Sequence, residues 1–177
     1  MECWLRNNHR VMLLGMILPA NLTILGMVAA AGVFSPIAAV RITGIGLAIA
    51  AGCVWTVFLW NIRLPRLAYE DGHLLVYLRN IRPIAVPIQY VECFFLGQTT
   101  TLVQDRSGNE IDAQTVVVRL AESATQWERC EVKPSLGSWC DGYITIRGMW
   151  CEPLTIQRVN QLNRRLAEIH RQLQSEA

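Results

Sequence analysis

Apolar and polar positions follow two different rules along this 177-residue chain, and the change falls near residue 62. Before it, Val11 to Val33 and Ile42 to Ile62 hold no charged residue and are separated by little more than Phe34-Ser35-Pro36. A helix needs about 20 predominantly apolar residues to cross the ~30 Å hydrocarbon core of a bilayer, at a rise of about 1.5 Å per residue. Each run meets that length alone, and so short a connection makes the second return antiparallel to the first. The pattern predicts a membrane anchor over residues 1–62, with spans at about 11–33 and 38–60, and a water-facing domain over 63–177.

After Pro65 the period shortens. Leu67 to Tyr69 and Leu74 to Leu78, flanking Asp71-Gly72, read as two strands and a tight hairpin. Ile84 to Val86, bracketed by Pro83 and Pro87, reads as a short extended piece at a sheet edge. Val91 to Leu96 is apolar but ambiguous between strand and helical turn, and Asp105 to Glu110 carries a turn signal. Thr115 to Leu120 is the clearest strand, Tyr143 to Arg147 is the last, and another is expected near Trp127 to Val132. The end changes again: Ile156, Val159, Leu162, Leu166, Ile169 and Leu173 recur at helical spacing, with Arg158, Arg164, Arg165 and Arg171 on the other face. This predicts an amphipathic helix over about 154–174, with Thr155 as N-cap. Strands closed by one helix give a mostly β, α+β architecture: a small, partly open barrel capped at one end.

Charge and cysteine usage narrow the chemistry. The formal net charge is +2 and no run of like charge appears, so a nucleic-acid partner has no electrostatic footprint. Of 16 basic residues only Lys133 is not arginine, which fits base composition better than a guanidinium-dependent site. Cys3, Cys53, Cys93, Cys130, Cys140 and Cys151 form no C-x-x-C pair, so no metal site is expected, and free thiols in a reducing compartment are the simplest account. Cys130, Cys140 and Cys151 would be available for a disulfide if the domain lay outside the cytoplasm. His9, His73 and His170 stand in no catalytic motif, no Gly-rich phosphate loop follows a strand, and Asp105, Glu110 and Asp112 lack calcium-loop spacing. No catalytic residue and no cofactor is assigned.

The flanking charges orient the anchor. Arg6 and Arg10 precede the first span and Arg63 and Arg66 follow the second, against Arg41 alone near the turn, which places both termini in the cytoplasm. Trp4, Trp55 and Trp60 fit an interfacial belt at that same face. The competing reading is a secretory signal cleaved near Ala29-Ala30-Ala31-Gly32, which would leave the second span as the only anchor. Gly44, Ala48 and Gly52 on the second span, and Gly26 and Ala30 on the first, line small-residue faces that let helix backbones approach closely in lipid. They are candidates for packing within the hairpin or for homo-oligomer contact. Pro19 and Asn21 mark a kink and a polar contact inside the first span.

The segments Arg66-Leu67-Ala68-Tyr69-Glu70-Asp71-Gly72-His73-Leu74-Leu75-Val76-Tyr77 and Val86-Pro87-Ile88-Gln89-Tyr90-Val91-Glu92 resemble the opening hairpin and next strand of bacterial pleckstrin-homology-like domains. Many such domains follow a pair of transmembrane helices. The resemblance covers Leu64 to Leu173 and departs at Ser123 to Gly142, where Lys133-Pro134-Ser135-Leu136-Gly137 suggests an added loop. It implies a binding scaffold, not an enzyme, and transfers no set of ligand-binding residues. Independently, Arg63, Arg66, Arg79 and Arg82 are candidates for contact with anionic lipid headgroups if the end of the first hairpin turns back toward the bilayer. Two functions are carried forward: a membrane-anchored binding and scaffolding module engaging lipid or an unidentified protein, and an accessory subunit of a larger membrane complex.

Overall fold

Residues Glu2–Leu5 form a strand, β1, ahead of both apolar runs. In this computed structural model, which describes residues 1–33, 37–79, 82–104 and 110–176, the chain divides into two units. One is His9–Leu64; the other joins Met1–Asn8 to Pro65–Ala177. The anchor expected over residues 1–62 is thus corrected at its start, because the first eight residues belong to the β unit. The reason is side-chain chemistry: Trp4 and Leu5 are completely buried there.

The helical unit consists of α1 (His9–Ala30) and α2 (Ala38–Arg63), both long and apolar enough to cross a membrane. Only 22% and 11% of their most apolar windows is buried in the protein, so their apolar surface faces outward. α1 stops before Val33 because Gly32, at φ 79°, closes a Schellman motif: its N–H donates to the Ala29 carbonyl and that of Val33 to Val28. Arg41 Nε donates to the Ala30 carbonyl at 3.2 Å, giving one of the last carbonyls of α1 a partner. Pro19 sits inside α1, and Asn21 bonds back to the Ile17 carbonyl of the same helix.

In the β unit, β1 pairs antiparallel with β2 (Leu67–Glu70), β2 with β3 (His73–Val76), and β3 with β4 (Ile84–Pro87). The whole helical hairpin is therefore inserted between two neighbouring strands of one sheet. Asp71 and Gly72 take φ of 47° and 76°, the paired positive φ that a type I′ turn requires. A second sheet contains β5 (Val91–Gln104), β6 (Glu110–Leu120), β7 (Gly137–Cys140) and β8 (Tyr143–Arg147) in the order β5-β6-β8-β7. Asp141 and Gly142, at φ 53° and 74°, repeat the same turn between β7 and β8. The strand expected near Trp127 to Val132 is replaced by a 3-10 turn at Thr125–Trp127 and a loop. There Trp127, Cys130 and Val132 pack against the core at irregular spacing, which a period-two strand cannot provide. The expected turn at Asp105 to Glu110 lies largely outside the described residues.

The two sheets do not join into a barrel. Instead α3 (Ile156–Glu176) bonds to the open edge of each. Asn163 Oδ1 accepts from the Phe94 N–H at 2.8 Å and its Nδ2 donates to the Phe94 carbonyl at 2.9 Å, so one amide covers the free edge of β5. Arg158 donates to the Trp4 carbonyl at 3.2 Å and Arg165 to that of Cys3 at 3.5 Å, on the free edge of β1. These two arginines are not the solvated face expected from periodicity. Thr155 Oγ1 accepts from the Arg158 N–H at 3.2 Å, the N-cap bond expected of it. Of the apolar stripe, Val159, Leu162 and Leu166 are buried, Ile169 is partly so, and Ile156 and Leu173 are exposed. One core results: Trp4, Leu74, Val76 and Val86 from the first sheet meet Phe94, Val116, Val118, Ile144 and Ile146 from the second.

Candidate functional site

Strand register divides the β unit into two ends with different charge. At one end lie Leu5, Arg66 and Tyr77, held by the Arg66 N–H on the Leu5 carbonyl at 2.8 Å and the Tyr77 N–H on the Arg66 carbonyl at 3.0 Å. Both connections to the helices, Asn8 and Pro65, leave from this end. Backbone bonds tie its loops together: Lys133 N–H to Leu78, Arg147 N–H to Leu136, and Asn8 N–H to Trp150. Trp150 Nε1 donates to the Ser135 carbonyl at 2.7 Å, which fixes the indole against the neighbouring loop.

The four arginines chosen as lipid contacts separate here. Arg79 and Arg82 are exposed on the loop between β3 and β4, Arg79 Nε donating to the Glu131 carbonyl at 2.9 Å. Arg63 is exposed in the last turn of α2. Arg66 is corrected: it is buried, donating through Nη1 to the Tyr77 carbonyl at 3.2 Å and through Nε toward that of Trp150 at 3.4 Å. Burial lowers its pKa from the ordinary arginine value. Its hydrogen bonds clamp β2 to two loops, a structural task that positive-inside counting cannot distinguish from a topology signal. Cys151 is buried beside it, and burial pushes that thiol up to about 12, making it inert at neutral pH. Trp4 is likewise corrected from the interfacial belt to the core, where its ring lies 5.7 Å from Tyr69 and 5.9 Å from Phe94. Trp60 is exposed and Trp55 half-buried.

The small-residue candidates also divide. A Cβ added to Gly26 would fall 2.7 Å from the Ala48 nitrogen, and one on Gly44 would fall 2.6 Å from the Ala30 nitrogen. Gly26, Ala30, Gly44 and Ala48 therefore form the backbone-to-backbone crossing of the hairpin. Gly52 is different, because a Cβ there meets nothing within 4 Å. It lines an apolar groove of about 420 Å³ between α1 and α2, with Ala20, Thr23, Ile24, Trp55, Thr56 and Leu59. Thr23 and Thr56 turn their hydroxyls back to the Pro19 and Gly52 carbonyls, which leaves the groove wall apolar.

At the other end of the β unit a cavity of about 310 Å³ is lined by Arg119, Glu122, Glu128, Asp141 and Tyr143, among others. Arg119 is held at 2.9 Å by Glu92. The cavity brings together carboxylates and an exposed phenol. The histidines lie apart: His9 begins α1, His73 Nδ1 lies 2.8 Å from the Asp71 carbonyl, and His170 Nε2 lies 3.1 Å from the Ile88 carbonyl. Among the described residues no three His, Cys, Asp or Glu side chains converge as a metal would need, and all six cysteines are free thiols. Sequence reasoning missed that Lys133, Arg147, Met149 and Trp150 share with Arg79 the end of the unit marked by Leu5, Arg66 and Tyr77, since only hydrogen bonds between distant loops assemble it. No known protein family, no curated protein and no solved structure matches the chain.

Proposed function

We propose that this chain is a membrane-anchored, non-catalytic binding and scaffolding protein, with α1 and α2 spanning the bilayer and both termini in the cytoplasm. The observation that carries the reading is an outward-facing apolar hairpin inserted between two paired strands. Exposed apolar area of this extent in water would drive aggregation, whereas acyl chains cover it at no cost. The strands before α1 and after α2 are paired, β1 with β2, as a return of the chain to one side through an even number of spans demands. Cleavage after α1 would strip Trp4 and Leu5 from the core, which argues for an uncleaved first helix. With Arg66 buried, exposed Arg6, Arg10 and Arg63 still outnumber Arg41, favouring the cytoplasmic side.

The β unit is read as a pleckstrin-homology-like scaffold on its two antiparallel sheets and closing C-terminal helix, with one strand contributed from ahead of the membrane hairpin. Carbonate extraction combined with a reporter after Ala177 tests the proposal. Retention in the membrane with cytoplasmic reporter activity is expected; release of the intact chain, or periplasmic activity, refutes it. The apolar groove at Gly52 favours a second reading, an accessory subunit seated against a larger membrane protein. Purification in mild detergent distinguishes them, since that reading requires a stoichiometric integral-membrane partner.

A further inference from the structure

We propose that the β unit seats one of its ends on the headgroups of an anionic leaflet through a rim of Arg6, Arg79, Arg82, Lys133 and Arg147 around Met149 and Trp150. This rests on the anchoring proposed above and names the surface that the anchor would present. All five cations are exposed, and among the described residues none of them is in an ion pair. The loops that carry them are joined into one surface by the bonds from Arg79 to Glu131, Lys133 to Leu78, Arg147 to Leu136 and Trp150 to Ser135.

In the described loops at this end the carboxylates are Glu131 and Glu152. Glu152 is neutralised by Arg158 at 2.6 Å, which leaves exposed Glu131 against five positive charges. The opposite end presents Asp71, Glu122, Glu128 and Asp141 against exposed Arg129 and the Arg119 paired with Glu92, so the unit still carries a charge asymmetry along its length. Met149 is 44% exposed at the basic end, and the pinned indole of Trp150 beside it combines an apolar body with a polar edge. Basic side chains flanking an amphipathic aromatic and a flexible apolar side chain match the headgroup region of a negatively charged bilayer. Asn8 and Pro65, where the chain continues into the proposed spans, leave from this same end. The buried Arg66 takes no part. The β5–β6 ribbon runs past the last β6–β8 pair, Thr115 with Arg147, and its sequence there includes Glu110 and Asp112, so it adds opposing charge to that of Glu131.

The test is amide hydrogen exchange on the full chain in nanodiscs of phosphatidylcholine alone and of phosphatidylcholine with phosphatidylglycerol. Exchange over 131–136 and 147–151 should slow in the anionic discs and recover at high salt. Each charge reversal among Arg79→Glu, Arg82→Glu and Lys133→Glu should weaken the lipid-dependent protection about thirtyfold, and the triple variant should lose it. Unchanged protection of the Val116 and Val118 amides in that variant would show that the fold is intact. Equal exchange in both discs, as would follow if the acidic ribbon held the rim off the surface, overturns the proposal, as does persistent lipid dependence in the triple variant. Carbonate extraction separates the two readings: a chain retained in membranes but indifferent to lipid charge defeats the rim alone, and a chain washed free defeats both.

Discussion

Excising the membrane hairpin provides the sharpest test of the fold. Two soluble versions can be compared: residues 64–177 alone, and Met1–Asn8 joined to Pro65–Ala177 through a few glycines. The join is short because the Arg66 N–H already bonds to the Leu5 carbonyl at 2.8 Å. The first version loses β1, and with it Trp4 and Leu5, both at 0% exposure. Truncating a buried tryptophan costs about 3–5 kcal/mol and a buried leucine about 2–5 kcal/mol. Simple addition gives a loss of about 5–10 kcal/mol, and coupling between neighbours shifts that sum by about 0.5–3 kcal/mol, which still rivals the whole stability of a domain, about 5–15 kcal/mol. The edge bonds from Arg158 and Arg165 to the Trp4 and Cys3 carbonyls disappear as well. Urea unfolding followed by circular dichroism should show a cooperative transition for the joined version and none, or aggregation, for residues 64–177. Equal stability of the two would refute the assignment of β1 to the core.

Three further outcomes are expected. Gly44→Leu should separate α1 from α2, because its side chain would meet the backbone of Ala30 and Gly26; overpacking costs about 1–3 kcal/mol or more, read as faster thermal unfolding in detergent, whereas Gly52→Leu should be tolerated. Asn163→Ala should cost about 1–3 kcal/mol in denaturant by exposing the Phe94 edge, and unchanged stability would mean that α3 does not hold that strand. Cys151 sets a pH limit: its folded value is raised, so the stability it contributes is intact below the ordinary thiol value of 9.0 and is lost as pH climbs toward about 12. Cys151→Ala should flatten that part of the pH–stability curve, and iodoacetamide at neutral pH should label exposed Cys140 but reach Cys151 only on unfolding.

Local rules made much of this protein readable. The two charge-free runs, the Asp71-Gly72 turn, the consecutive valines of β6 and the helical spacing from Val159 to Leu166 each carry their signal within one turn or one strand. The Asp141-Gly142 turn is equally local, a second Asp-Gly between Trp139 and Tyr143. The hairpin crossing was legible too, since Gly26 and Gly44 fall at equal depth from the connection.

Other features depend on partners far away in the chain. Glu2–Leu5 is too short to declare itself a strand, and it is one because Leu67–Glu70 offers it an edge and Tyr69 and Phe94 enclose Trp4. Arg66 and Arg79 look alike in sequence, yet one is enclosed by loops ending at Tyr77 and Trp150 while the other remains in water. Sequence by itself determined which segments are greasy, which turn and which coil, because hydrophobic period and backbone preference act over a few residues. Only the tertiary structure decided that Glu2–Leu5 completes the β unit on the far side of the hairpin and which arginines face outward, because burial is a property of neighbours brought together by folding, not of the residue that is buried.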